Sequence, residues 1–167
     1  KHDSKGGSVR VVAAKHNSNR PSSTILHAIM EEEKRAGMDK RETYLQFSSI
    51  VTDQKNRVLD TIKSIKAKGQ NIVGFGASHS TTTLLHHFQL GAYLDYLVDD
   101  NPSKQGLYSP GYHLPVYSPL RIYKEKPDYL LLLAWQHSEP IIDRHRKILE
   151  TGTKFILPLP ELEIVSS

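Results

Sequence analysis

NIVGFGASHSTTTLLHHF, residues 71–88, reads as a strand, a tight turn and a helix in direct succession. The apolar run 71–75 leads straight into Gly74 and Gly76, where a sharp turn and a close backbone approach to a ligand need no side chain. Ser78, His79, Ser80 and Thr81 follow, then Thr82 and Thr83, so hydroxyls crowd the start of the helix. Free backbone N–H groups and the positive end of the helix dipole make such a start a seat for phosphate or carboxylate. The third glycine position of the dinucleotide-binding fingerprint is held by His79. Small residues at a strand–helix turn also serve plain packing, and both readings stand at this point.

Outward from this segment the chain keeps one rhythm. YLDYLV (93–98), DYLLLL (128–133) and KFILPL (154–159) are further short apolar runs, set apart by helical stretches near 81–90, 118–124 and 138–150. Runs apolar on both faces that alternate with helices predict a parallel sheet covered on both sides. Upstream, the β-branched stretch 8–14 predicts a strand, and Ser22 or Ser23 opens a helix over about 24–36 with Ile25, Leu26, Ile29 and Met30 as its apolar stripe. Tyr44, Phe47, Val51, Val58, Leu59, Ile62 and Ile65 recur at helical spacing and predict a longer helix over about 41–68. The expected division is a leading segment, 1–69, packed on an α/β core, 70–167.

In an open parallel sheet, ligands bind beyond the carboxyl ends of the strands. Three loops fall there. Besides the 76–83 turn, VDDNPSKQGLYSPGYHLPV (98–116) begins with Asp99, 25 residues past Gly74, where a ribose-binding acid is expected, and carries Tyr108 and His113. LAWQHSEP (133–140) carries Trp135, which can stack on a base or cover the sheet end, and His137, which can meet a phosphate or cap a helix.

Composition narrows the classes. With 38% apolar and 24% charged residues the 167-residue chain is ordinary globular material, and no run approaches the roughly 20 apolar residues of a membrane helix. A net charge of +4 spread along the chain argues against a nucleic-acid partner, and zero cysteines exclude disulfides and thiolate metal sites. The nine histidines form no metal pattern; His86 and His87 are adjacent and sit roughly 100° apart on a helix. A hydrolytic arrangement of Ser78, His79 and Asp99 is a weak reading, since neighbouring Ser and His on one turn rarely face each other and the nucleophile-elbow pattern is absent. The chain opens on Lys1 with methionines only at 30 and 38, and is expected to be part of a longer protein. Without a signal-like or membrane segment it is expected in the cytoplasm.

The segments agree in order with one family. Gly6, Gly7, Ser8 and Arg10, a helical pair, GFGAS and TTLL within 74–85, VDDNPSKQGLYSPGYHLPV, KPDYLLLLAW and GTKFILPLPE together resemble the C-terminal domain of SAM-dependent sugar C-methyltransferases. That resemblance implies a Rossmann-like three-layer domain that helps hold a nucleotide-linked keto-sugar against an upstream SAM-binding domain. It places S-adenosylmethionine, zinc ligands and the catalytic acid and base outside this chain, which has no catalytic residue and no cofactor of its own. It also implies a substrate-binding set: Gly74, Gly76, Ser78, His79, Ser80 and Thr81 on the phosphate side, with Asp99, Tyr108, His113, Trp135 and His137 around the crevice. The turn departs from the family's GYGAPAKGNT manner, with Ser78 at the proline, Ser80 at the lysine and Thr81 at the following glycine. Two other classes stay in view: a scaffold that docks a catalytic domain, and an independent dinucleotide-binding module.

Overall fold

The structure, a computed structural model, describes residues 9–15, 17, 18, 21 and 23–166. It divides into two compact units between Val51 and Thr52. The division falls inside a helix, so the second half of that helix belongs with the sheet, whereas the sequence pattern assigns the whole of it to the leading segment.

In the first unit, helix α1 (Thr24–Arg35) begins at Ser23, whose side chain accepts from the Ile25 N–H, and ends with Lys34 and Arg35 beside its negative pole. Gly37, at φ +68, lets the chain reverse into α2 (Arg41–Ala67), and the Thr43 hydroxyl closes the corner on the Gly37 carbonyl at 2.7 Å. No residue of α1 is buried, and Ile25, Leu26, Met30, Tyr44, Leu45, Phe47 and Ile50 are all exposed. The strand expected over 8–14 does not form: residues 9–15 carry no regular structure, and Val11 and Val12 stand exposed. Ser8, with Gly6 and Gly7, lies outside the described residues. β-branched composition favours a strand only where a neighbour completes the ladder, and none does so among the described residues.

In the second unit α2 presents Val58, Ile62 and Ile65 as a buried stripe. Six strands follow: β1 (Ile72–Phe75), β2 (Leu97–Val98), β3 (Val116–Tyr117), β4 (Tyr129–Leu132), β5 (Lys154–Leu157) and β6 (Glu163–Val165). They lie in the order β3-β2-β1-β4-β5-β6, all parallel except β6, which runs antiparallel to β5. Helices α3 (His79–His87), α4 (Leu120–Glu125) and α5 (Ser138–His145) make the crossovers. Right-handed crossovers set α3 on one face and α4 and α5 on the other. Val73, Phe75, Val98, Leu130, Leu132 and Phe155 form one face's core with Ile122, Ile141 and Ile148. The strand order reverses between β1 and β4, the position where doubly wound sheets open a crevice. β3 and β6 have no counterpart in the sequence reading; at two and three residues they are too short for an alternation to register.

One polar cluster is built into the β2–α5 side. His145 is buried, with Nδ1 2.9 Å from the Tyr123 hydroxyl and Nε2 3.6 Å from Asp100 Oδ1, while Arg144 also pairs with Asp100. Burial pushes the imidazole below its ordinary value, and Asp100 offsets only part of that. The unfolded chain therefore takes up a proton that the folded one refuses. Stability is expected to fall as pH drops below about 6.5 and to level off below the depressed folded-state value. Urea midpoints measured between pH 7.5 and 5 check this. The fall should shrink in His145→Phe, which cannot titrate, and an unchanged fall would place its origin elsewhere.

Candidate functional site

The site begins where β1 stops. Gly76, at φ +107, donates its N–H to the Val98 carbonyl at 2.8 Å and lies against Ala134, so the chain turns tightly between β2 and the end of β4. Ser78 then caps α3: its hydroxyl accepts from the Thr81 N–H at 3.3 Å and lies 2.8 Å from the Ser80 hydroxyl. The first turn of α3 contains no acidic residue of its own, and the Asp99 carboxylate meets the Ala77 N–H just ahead of it at 2.7 Å.

The second wall comes from the loop after β2. Asp99 is buried; its Oδ2 accepts from the Ala77 N–H at 2.7 Å and from Lys104 Nζ at 3.0 Å, and its Oδ1 from the Asn101 N–H at 2.9 Å. One carboxylate thus ties the β1–α3 turn to the 101–105 turn. Asn101 caps that turn through Ser103, and Gln105 donates to the Asp99 carbonyl at 3.0 Å. Gly106 and Leu107 then bond to both backbone groups of Val116, and Ser109 bonds to Leu114 through its N–H and its hydroxyl.

Between these walls lies a cavity of about 280 Å³. Ser78, His79 and Thr81 line it from the turn, Lys104, Leu107 and Tyr108 from the loop, and Leu97 and Val116 from the sheet. Of the residues singled out in the sequence, Ser78, His79, Thr81 and Tyr108 meet here. Gly74 is buried inside β1, where a Cβ would stand 2.5 Å from Leu97 Cδ2, and Gly76 shapes the turn. Ser80 is exposed and outside the lining, and Asp99 lies behind it with three of its roughly four acceptor positions taken by protein donors. His113, at φ +52, is exposed on the far limb of the loop. Trp135 is half-buried and His137 exposed in a short 3-10 turn beyond β4, outside this lining. Lys104 and the apolar walls Leu97, Leu107 and Val116 were not among the expected site residues. The Asn-Pro turn shortly after the strand-end acid was the signal for Lys104, while wall residues carry no signal beyond being apolar.

Among the described residues no group of three or more His, Cys, Asp or Glu is placed to hold a metal ion. No described helix is long and apolar enough to cross a membrane.

The strand order and the ligand-sized opening at the strand ends define a Rossmann-like α/β domain. Residues 3–160 match the family described as the C-methyltransferase C-terminal domain, and the chain belongs to that family. It is 31% identical over 166 residues to the C-methyltransferase NovU of Streptomyces niveus, a match that covers 99% of this chain. The chain spans 40% of the length of that relative. Among solved structures, UDP-D-quinovosamine 4-dehydrogenase from Vibrio fischeri is similar, with 17% identity and a TM-score of 0.41 over 58% of this chain and 93% of that one.

Proposed function

We propose that this chain is the substrate-side domain of a cytoplasmic SAM-dependent C-methyltransferase, and that its cavity seats the phosphorylated part of a nucleotide-linked sugar or related carbonyl substrate. The observation that carries this reading is the cavity itself, set between the start of α3 and the loop after β2, at the carboxyl ends of the strands. At about 280 Å³ it lies at the small end of the roughly 300–1,000 Å³ range of small-molecule sites. It fits a headgroup or a ring rather than a whole S-adenosylmethionine. The methyl donor and the catalytic acid and base are assigned to protein outside this chain, and so is any zinc.

A specific feature favours a second role beside the first. Tyr44, Leu45, Phe47 and Ile50 are exposed on the first half of α2, as are Ile25, Leu26 and Met30 on α1. Exposed apolar groups this numerous suit a docking face, and the upstream SAM-binding domain is the partner assigned to it.

An NMR titration of the labelled 167-residue chain with a thymidine-diphosphate sugar, with NAD as the parallel control, tests the main reading. Shifts at residues 77–82 and 104–110 from the nucleotide-sugar are expected, at affinities down to about millimolar. Shifts from NAD alone would replace this reading with an independent dinucleotide module. Silence with both would leave docking as the domain's role.

A further inference from the structure

We infer that the loop over residues 106–113 is a strap laid along α3, latched at its tip by Tyr112 and His86. Release of this latch is the step that lets a ligand into and out of the cavity. The inference rests on the cavity being the ligand site. One helix serves both ends of the arrangement. Thr81 and Thr82 line the cavity from the start of α3, and Tyr108 and Pro110 line it from the loop. His86 lies one turn beyond Thr82 on the same face of α3, and there it meets the tip of that loop.

The loop is held differently at its two ends. Its base is fastened to the sheet edge by backbone bonds: Gly106 donates to the Val116 carbonyl at 2.8 Å, and Val116 to the Leu107 carbonyl at 2.9 Å. At the tip the bonds stay inside the loop, with the Tyr112 N–H donating to Pro110 at 3.0 Å and the His113 N–H to Ser109 at 3.1 Å. Among the described residues no hydrogen bond joins residues 110–113 to the body of the domain. What joins them is ring packing on bare backbone. A Cβ on Gly91 would collide with the Tyr112 ring, and one on Gly111 with the His86 ring. The two rings also pack on each other, with centroids 4.9 Å apart and planes tilted by 33°. Gly91 is buried at the start of the short turn between α3 and β2, so Tyr112 has a seat in the body of the domain. A contact gathered at one point can open while the sheet stays closed. Pro110 has a fixed φ and Tyr108 is bridged to Pro115, so the tip swings as one piece and carries Pro110, a wall residue, away from α3. Leu107 and Tyr108 are exposed although they line the cavity, which places its mouth under this limb of the loop.

The test takes amide hydrogen exchange first and a ligand second, both on the labelled 167-residue chain. Tyr112→Ala is expected to speed exchange of the Tyr112→Ala, His113 and Leu114 amides about tenfold, while the amides of β1 and β4 keep their rates. Tyr112→Phe keeps the ring and should match the parent. Gly91→Ala, which pushes the ring off its seat, should repeat the effect of Tyr112→Ala. If Tyr112→Ala leaves the tip as protected as in the parent, the latch falls whatever the cavity binds. The second arm uses the thymidine-diphosphate sugar as probe, with rates taken from the line shapes of the titration. The latch must open whether the cavity is empty or filled. Tyr112→Ala should therefore raise the association and dissociation rates by a similar factor and leave Kd within about threefold of the parent. If dissociation alone quickens, the loop is a fixed wall that has lost contacts; the gate falls and the cavity reading survives. If the parent shows no shifts at 77–82 with this probe, the cavity reading falls and takes the gate with it.

Discussion

Replacing Gly76 with alanine is expected to lower the thermal midpoint by roughly 10 °C, the result of about 3 kcal/mol or more of lost stability at about 2–4 °C per kcal/mol. Two costs combine. At φ +107 a side chain sits in a backbone region that glycine occupies freely and alanine does not, worth about 1–3 kcal/mol. The new Cβ would also stand 2.8 Å from Ala134 Cβ and 3.1 Å from the Ala134 backbone nitrogen. Ala134 cannot step aside, because its N–H is bonded to the Phe75 carbonyl at 3.2 Å. Relief must come from the turn itself, which would pull Ala77 away from Asp99. Differential scanning calorimetry reads the midpoint. A drop under about 2 °C, less than 1 kcal/mol by the same conversion, would show that the turn relaxes without cost and that its geometry is not held by β4.

Phe155→Ala is the larger loss, about 3–5 kcal/mol, or roughly 10–15 °C. Phe155 is fully buried in β5, opposite Leu130 of β4 and Val165 of β6, and belongs to the same core cluster as Ile141 and Ile148. The strands on either side of it are held in the ladder, so they cannot close around the void. With total stabilities commonly about 5–15 kcal/mol, such a loss leaves little reserve. Phe155→Leu keeps most of the volume and should lose far less. Urea unfolding of the two variants makes the comparison; equal losses would mean that the ring's contacts, and not the space it fills, are what matters.

Much of this arrangement is legible in the residues alone. The run 71–88 spells out strand, turn and helix with bounds off by a few residues, because glycine and N-cap chemistry act locally. The parallel sheet follows from runs apolar on both faces. Expectation and structure separate where local composition and tertiary pairing part company. Residues 9–14 are as β-branched as any strand, yet no partner completes them among the described residues. Of the run 93–98 only Leu97 and Val98 form β2; Leu94 and Tyr96 are buried on the connection that leads into it from α3. The site divides in the same way. Of the residues singled out by strand-end position, Ser78, His79, Thr81 and Tyr108 line the cavity. That position cannot say on which side of β1 the opening lies. The crossover through α3 brings the turn toward β2, and that leaves Trp135 and His137 across Gly76, on the β4 side.

The loop over residues 106–109 has a second consequence. β3 is the outermost strand on its side of the sheet, and the polar groups of Val116 that face away from the sheet are satisfied by Gly106 and Leu107 of that loop, with Tyr108 bridged to Pro115 just beyond. A bare outer strand is where another chain adds itself during aggregation. The cavity wall is therefore also the guard against such addition. Loosening it to admit a bulkier ligand would uncover the N–H and carbonyl of Val116 at the sheet edge, and self-association at high concentration would be the sign.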